Sequence, residues 1–198
     1  MNKIGTTNWP KDAWDRVFLN GKTYWQLGET DLDVILAKFP SASTALDMGC
    51  GSGELAFQLA RRGLNVDASD FSVAAIGRAN EQKDKLGLKN VSFHVSDMER
   101  DSVEKEYDLV FLKLAFAFVQ NKKAFLKRIK KSFLHGLVII TPVIDDSSEN
   151  PSEKIVNISV PRSEMDRLLG GCFGIYEVLH GGIFPDGSNI QIFIAKKT

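Results

Sequence analysis

The stretch ALDMGCGSGELAFQLARRG, residues 45–63, decides the fold. An apolar run ends in Asp47, and the five residues Gly49-Cys50-Gly51-Ser52-Gly53 carry three glycines before helix-period apolar residues begin at about Glu54. A buried strand, a glycine turn and a helix, in that order, put the turn at the carboxyl end of the strand, where open α/β sheets bind ligands. Glycine has no Cβ, so its backbone takes left-handed dihedrals and approaches a ligand closely. The helix that follows offers unpaired N–H groups.

Two nucleotide loops fail on individual residues. A dinucleotide fingerprint counted from Gly49 needs Gly or Ala where Glu54 stands, and a P-loop needs Gly-Lys-Ser/Thr at its end. Asp47 and Glu54 on the rim suit a ligand with a cationic or zwitterionic portion better than a pyrophosphate.

Outward from the turn, apolar runs alternate with helix-period runs from Thr44 onward, the βαβ pattern of a parallel sheet. The pattern predicts strands at 44–48, 65–69, 91–96, 107–113 and 137–143, and helices at 54–62, 73–86 and 121–133. The last helix carries Phe125, Leu126, Ile129 and Phe133 as an apolar stripe. DDSSENPSE, with its acids and proline, reads as an exposed loop, and VPRSEMDRLLGG as a short helix with Ser163 as N-cap and its glycines at the end. GIYEVLHGGIF and NIQIFIAKK, joined by PDGS, read as a terminal antiparallel hairpin with an Asp-Gly turn. Before the first strand, Pro10 starts one predicted helix, and Leu32, Ile35, Leu36 and Phe39 give a second its apolar face.

Length and charge narrow the class further. With 198 residues, 25 Lys+Arg against 25 Asp+Glu and 43 % apolar residues, the chain reads as one soluble domain with no global field to draw it onto nucleic acid or an anionic membrane. Its N-terminus lacks the apolar core of a secretory signal, and its most apolar run, Leu109 to Val119, is too short to span a bilayer. Cys50 and Cys172 form neither a disulfide framework nor a zinc motif. A cytoplasmic protein with no metal and no membrane partner is the expectation; its oligomeric state is left open.

LDMGCGSG resembles the first motif of the class I S-adenosylmethionine-dependent methyltransferases, and the resemblance runs on in order along the chain. It implies an α/β, Rossmann-like, seven-stranded mostly parallel sheet of order 3-2-1-4-5-7-6, with the last strand antiparallel and helices on both faces. It also implies S-adenosyl-L-methionine as cofactor, held in the turn by Asp47, Met48, Gly49, Cys50, Gly51 and Gly53. Asp70, in DASDFS, matches the acid that holds both ribose hydroxyls, with Phe71 beside the adenine. Asp97 matches the acid facing the adenine amino group, and Met98 the neighbour whose N–H meets the ring. Lys113 and Leu114 fall where the fourth strand passes the methyl donor. Residues 1–43 would be an N-terminal helical lid or extension on a core of 44–198, within one domain overall.

Several residues carry two readings each. Asp70 and Ser72 also suit the start of a helix, and Asp97 a cap on the short helix that follows. Lys113 either holds a carboxylate of the substrate or lines the cofactor pocket, or else it snorkels or pairs with a nearby acid. Trp14, Tyr24 and Trp25 either line an acceptor pocket, with Phe116 from the loop after the fourth strand, or only cover the sheet. The basic run Lys122, Lys123, Lys127, Arg128, Lys130, Lys131 either touches RNA or is the solvated face of a helix. His94, His135 and His180 lie on different predicted elements and read as surface or satisfied histidines.

The acceptor side departs from the family pattern. The loop Ala115-Phe116-Ala117-Phe118 has neither acid nor base, Leu134-His135-Gly136-Leu137 replaces a Lys-Pro-Gly-Gly turn, and no Asn/Asp-Pro-Pro-aromatic motif occurs. No catalytic base is nominated. The leading expectation is methyl transfer to a small molecule; RNA or protein methylation and a non-catalytic cofactor-binding module are the alternatives.

Overall fold

The computed structural model describes residues 11–21, 25–145, 158–183 and 188–197. Five parallel strands carry the fold: β1 (Thr44–Met48), β2 (Asn65–Asp70), β3 (Val91–Val95), β4 (Tyr107–Lys113) and β5 (Phe133–Ile144). A two-residue strand β6 (Val160–Pro161) runs parallel to the end of β5, and β7 (Tyr176–Ile183) and β8 (Asn189–Lys196) close the sheet as an antiparallel pair. The order is β3-β2-β1-β4-β5-β8-β7, with β6 off this path. β8 lies antiparallel between β5 and β7, so the predicted order holds and β6 is the one addition. Residues 146–157, the hairpin turn at 184–187 and Pro10 lie outside the described residues.

Strands covered on both faces need apolar residues at every position. β4 shows this: Leu109 and Phe111 face one side and Val110 and Leu112 the other, all fully buried. The first side packs against α2 (Glu29–Ala37), α3 (Glu54–Arg61) and α4 (Val73–Leu86) through Leu32, Ile35, Leu55, Leu59 and Ile76. The second packs against α5 (Lys122–Ile129) and α6 (Arg162–Phe173) through Phe125, Leu126, Leu168 and Leu169. α1 (Lys11–Leu19) lies against α4. Arg62 ties α2 to the end of α3, its Nε donating to Asp33 at 2.6 Å and its Nη2 to Glu29 at 2.5 Å. No helix among the described residues is long and apolar enough to cross a membrane.

Two predicted boundaries move. The helix expected over 121–133 stops at Ile129, and Phe133 opens β5 opposite Tyr107. Its helical spacing is coincidental: a turn through Lys130–Ser132 sends Phe133 onto Phe173, and the Ser132 carbonyl accepts the Tyr107 N–H at 3.0 Å. The helix at 162–173 starts after Pro161, so Ser163 lies inside it and is not its N-cap, and it runs through Gly170 and Gly171 to stop at Gly174, where φ is +77°. An interior glycine is costly but tolerated where packing by Leu168, Leu169 and Phe173 holds the helix down.

Asp108 joins the chain entering β1 to β4. Its Oδ2 accepts the N–H groups of Ser43 and Thr44 at 2.8 and 2.9 Å and their hydroxyls at 3.1 and 3.0 Å. Burial alone would raise the carboxyl's pKa, but these donors outweigh it and hold it below the ordinary value. Asp108→Ala should cost about 2–3 kcal/mol, as expected for lost hydrogen bonds to a charged group. Because the folded pKa is depressed, that contribution is complete above the unfolded value of ~3.9 and fades as pH falls through the folded one. Urea unfolding of both proteins at pH 7 and in acid measures the difference.

Candidate functional site

The carboxyl ends of β1, β2 and β4 meet at the glycine turn. Gly49 and Cys50 both donate their N–H groups to the Ser69 carbonyl, at 2.8 and 2.9 Å, which bends the chain off β1. Gly49, Gly51 and Gly53 have φ values of +70°, +56° and +90°, which side chains rarely adopt. Their surroundings differ. A Cβ on Gly49 would lie 2.5 Å from that of Ala115, and one on Gly53 2.7 Å from the Phe93 ring, so these two make room for the protein itself. Gly51 instead meets the Phe18 ring of α1, 3.1 Å from where its Cβ would be.

Asp70 ends β2 beneath this turn. Its Oδ2 accepts the Gly51 N–H at 3.0 Å and its Oδ1 the Ser72 N–H at 2.9 Å. A carboxylate offers about four lone-pair positions, and the Phe71 N–H also draws on this one, so it keeps capacity for a further donor. Burial raises the pKa of this group, and the N–H groups of Ser72, Gly51 and Phe71 oppose the rise. Ser72 caps α4 by accepting the Ala75 N–H at 3.1 Å. The acid and the serine therefore shape the helix start, as one of the two sequence readings has it, and the acid retains acceptor capacity.

Asp47 is buried to 1 % exposure, and neither of its oxygens has a hydrogen-bond partner. Burial, with Glu54 and Asp70 adding to it, pushes its pKa up to about 7 against the pull of Lys113. Lys113 is largely buried, and its Nζ donates to the Trp25 carbonyl at 3.0 Å. Among the described residues it forms no ion pair within 4.0 Å; burial lowers its pKa, and Asp47, Glu54 and Cys50 oppose that. An unpartnered buried acid near a buried ammonium is a costly arrangement for a free protein and suits an incoming zwitterion.

The residue after Lys113, Leu114, has φ +58°, the one non-glycine in that region among the described residues. Such a conformation costs roughly 1–3 kcal/mol and persists where the surroundings enforce it. Here the enforcing contacts include the Leu114 N–H bond to the Ile140 carbonyl at 2.7 Å. Nothing in the residue type signals this strain.

The rest of the set is spread wider. Asp97 caps its own turn, accepting the Glu99 N–H at 2.9 Å, and its side chain is 36 % exposed. Met98 and Phe71 are half-buried, whereas Met48 packs into the core. Cys50 is buried, and burial beside Asp47 and Asp70 pushes its thiol pKa well up. Phe116 is fully buried against Phe125 and Lys122, so it belongs to the core behind the loop; the ring that reaches α1 is Phe118. Trp14 packs edge-on to Phe118 at 5.1 Å, Trp25 is half-buried, and Tyr24 lies outside the described residues. A cleft of about 410 Å³ borders the turn at Ser52 and Glu54 but takes in none of Asp47, Asp70 and Asp97.

The basic run is not one solvated face. Lys122 is buried and donates to the Ala117 and Val119 carbonyls, Arg128 to those of Met98 and Glu99, and Lys130 to that of Cys172. Lys123, Lys127 and Lys131 remain exposed. The three histidines sit on separate elements, as expected.

Sequence reasoning overlooked Asp15 and Phe18. Asp15 Oδ1 accepts the Ser72 hydroxyl at 2.5 Å and the Ala74 N–H at 3.2 Å, and the Phe18 carbonyl accepts from Arg78. The available signal was Trp14 and Phe18 four residues apart, one face of a short helix with an acid beside it.

Residues 40–166 match a family described as a methyltransferase domain. The chain is 32 % identical over 118 residues to malonyl-(acyl-carrier protein) O-methyltransferase 2 of Ilyobacter polytropus, a match covering 57 % of this chain and 44 % of that protein. It is 39 % identical over 82 residues to the chloroplastic magnesium protoporphyrin IX methyltransferase of Arabidopsis thaliana, covering 40 % of this chain and 26 % of that one. The match thus spans less than half of either relative. Among solved structures, the N-terminal domain of EvdMO1, crystallised in the presence of S-adenosylhomocysteine and D-fucose, superposes with a TM-score of 0.70 at 16 % identity over 97 % of this chain and 99 % of that one. Magnesium protoporphyrin IX methyltransferase from Synechocystis PCC 6803, with bound S-adenosylhomocysteine, gives 0.67 at 16 % identity over 94 % of each chain. At that identity the likeness concerns the fold. The family range runs from just before β1 into α6 and includes the strand ends around the glycine turn, and the chain belongs to the class I S-adenosylmethionine-dependent methyltransferases.

Proposed function

We propose that this chain transfers the methyl group of S-adenosylmethionine to a small-molecule acceptor. The observation that carries the reading is Asp70: a buried carboxylate fixed by backbone N–H groups under a glycine turn, with acceptor capacity left for a vicinal diol. Asp70 would take the ribose hydroxyls, with Phe71, Asp97 and Met98 around the adenine. Asp47 and Lys113 would take the ammonium and carboxylate of the amino-acid end, which supplies Asp47 with the partner it lacks. Gly49, Cys50, Gly51, Gly53, Met48 and Leu114 shape the cradle by their backbone.

When bound, the cofactor supplies a sulfonium methyl group, and the protein's task is orientation. Holding the reactants in line at about 3–3.5 Å lowers the barrier by roughly 7–11 kcal/mol. The apolar loop Ala115–Phe118, roofed by Trp14, would keep water from the methyl group and contributes no acid or base. That suits an acceptor that needs no deprotonation by the protein. A small acceptor is favoured over RNA because Lys122, Arg128 and Lys130 are held on backbone carbonyls, which leaves a narrow basic stripe. Residues 1–43 would act as cover for the site, with α1 as the part over Gly51 and Phe118. A screen of acceptors with radiolabelled donor, read by mass spectrometry of the product, tests the reaction; donor binding with no turnover on any acceptor would favour a cofactor-binding module.

Asp70→Ala should weaken binding of S-adenosylhomocysteine at least about tenfold in calorimetry, since charged hydrogen bonds are worth roughly 1.5–3 kcal/mol. Gly51→Val should abolish it while most of the fold persists, because a β-branched residue resists φ +56° and would press on Phe18.

Asp47→Asn should separate stability from binding. The folded Asp47 stays protonated up to about pH 7, whereas the unfolded one ionises near 4, so folding takes up a proton and wild-type stability falls as pH rises between those values. The asparagine variant escapes that fall. Its melting temperature should exceed wild type at pH 8, by ~2–4 °C per kcal/mol recovered, and match it only below about pH 4, where the unfolded carboxyl is protonated too. Donor affinity at pH 8 should drop in the same variant.

A further inference from the structure

Four groups form a continuous chain between the N-terminal helix and the glycine turn. Asp15 Oδ1 accepts the Ser72 hydroxyl, the Ser72 N–H donates to Asp70 Oδ1, and Asp70 Oδ2 accepts the Gly51 N–H, at 2.5, 2.9 and 3.0 Å. Ser72 is fully buried and Asp70 nearly so. The serine hydroxyl has one proton, and giving it to Asp15 leaves its lone pairs for the Ala75 N–H. Asp15 therefore sets the rotamer of Ser72 and, through the same residue's backbone, the aim of the N–H that holds Asp70.

We propose that Asp15 is a positioning residue for the donor site: by docking α1 onto Ser72 it fixes the Asp70 carboxylate, so that donor binding and α1 docking strengthen each other. This rests on the donor-site reading above and adds a residue that no motif of that reading contains. Charge explains why the link is indirect. Asp15 is an anion close to Asp70 and raises its pKa, so the two acids do not attract; the serine and the Ala74 N–H at the start of α4 mediate between them. Linked hydrogen bonds in a buried setting reinforce one another. The same helix sets the Phe18 ring over Gly51 and Trp14 against Phe118, so what orders Asp70 also orders the wall of the acceptor loop. A coupling of this kind is reciprocal by thermodynamic necessity.

The test is a double-mutant cycle on S-adenosylhomocysteine binding, read by calorimetry, with thermal melts to verify folding. Asp15→Ala should weaken binding about tenfold, and Asp15→Asn, which keeps an acceptor oxygen toward Ser72, should restore most of it. In a Ser72→Ala background, adding Asp15→Ala should cost no more than about twofold, because the link is already cut. A helix that serves only as a cover would give additive losses instead. Hydrogen exchange on the wild type supplies a measure that needs no variant: saturating S-adenosylhomocysteine should slow exchange of the amides of residues 11–19. Unchanged affinity in folded Asp15→Ala, full additivity with Ser72→Ala, or unchanged exchange in α1 at full occupancy would each overturn the inference and leave the donor site standing. A wild type that bound no S-adenosylhomocysteine would overturn the donor-site reading and the inference with it.

Discussion

The site depends on one carboxylate. Asp70 lies at the end of β2 and reaches across to the turn that leaves β1, and its two oxygens are held by N–H groups from different connections. Without that bridge the glycine turn would be anchored at its start, by the Ser69 carbonyl, and at Gly53, by the Cys50 carbonyl, with its midpoint loose. A midpoint at φ +56° with no Cβ has little conformational preference of its own. A strong acceptor from the neighbouring strand supplies it. The parallel pairing of β1 with β2, register Met48 to Ser69, brings the acid within reach.

Around this bridge the protein carries several unfavourable features together. Asp47 is buried without a hydrogen-bond partner, Lys113 is buried against a carbonyl, and Leu114 takes a left-handed backbone. All three sit at the carboxyl ends of β1 and β4, and the apolar layers on both faces of β4 are what hold them there. Local choices that disagree with stability tend to mark functional sites, since a core elsewhere can offset their cost. Under the proposed function each would supply a group or a shape to the amino-acid end of the donor.

The far side of the sheet shows how tertiary demand redirects charge. Lys122, Arg128 and Lys130 point their cations at backbone carbonyls at the ends of short turns, in the manner of residues that satisfy helix termini. Lys122 and Arg128 tie down the loops after β4 and β3, and Lys130 ties the end of α5 to the last turn of α6. Of the six basic residues, Lys122 and Arg128 therefore hold the 98–119 region.

The alternation of apolar runs with helical ones and the turn at 49–53 made the parallel sheet legible from residue types alone, while its order and the roles proposed for the acids at 70 and 97 came from the family resemblance. Such features are local: a strand's periodicity and a glycine's freedom are properties of a few neighbouring residues. What only the tertiary structure decided is where non-local partners meet. Phe133 keeps helical spacing yet joins a strand, because pairing with Tyr107 outweighs a weak local preference. Phe116 turns to the core and Phe118 to α1, a choice made by a single turn of 3₁₀ helix between them. Asp15 reaches Ser72 across 57 positions of sequence, a contact that no pattern in the short helix around it specifies. Sequence periodicity states which face of an element is apolar; the packing of α1 on α4 states what that face is for, because hydrogen-bond geometry exists only once both partners are in place.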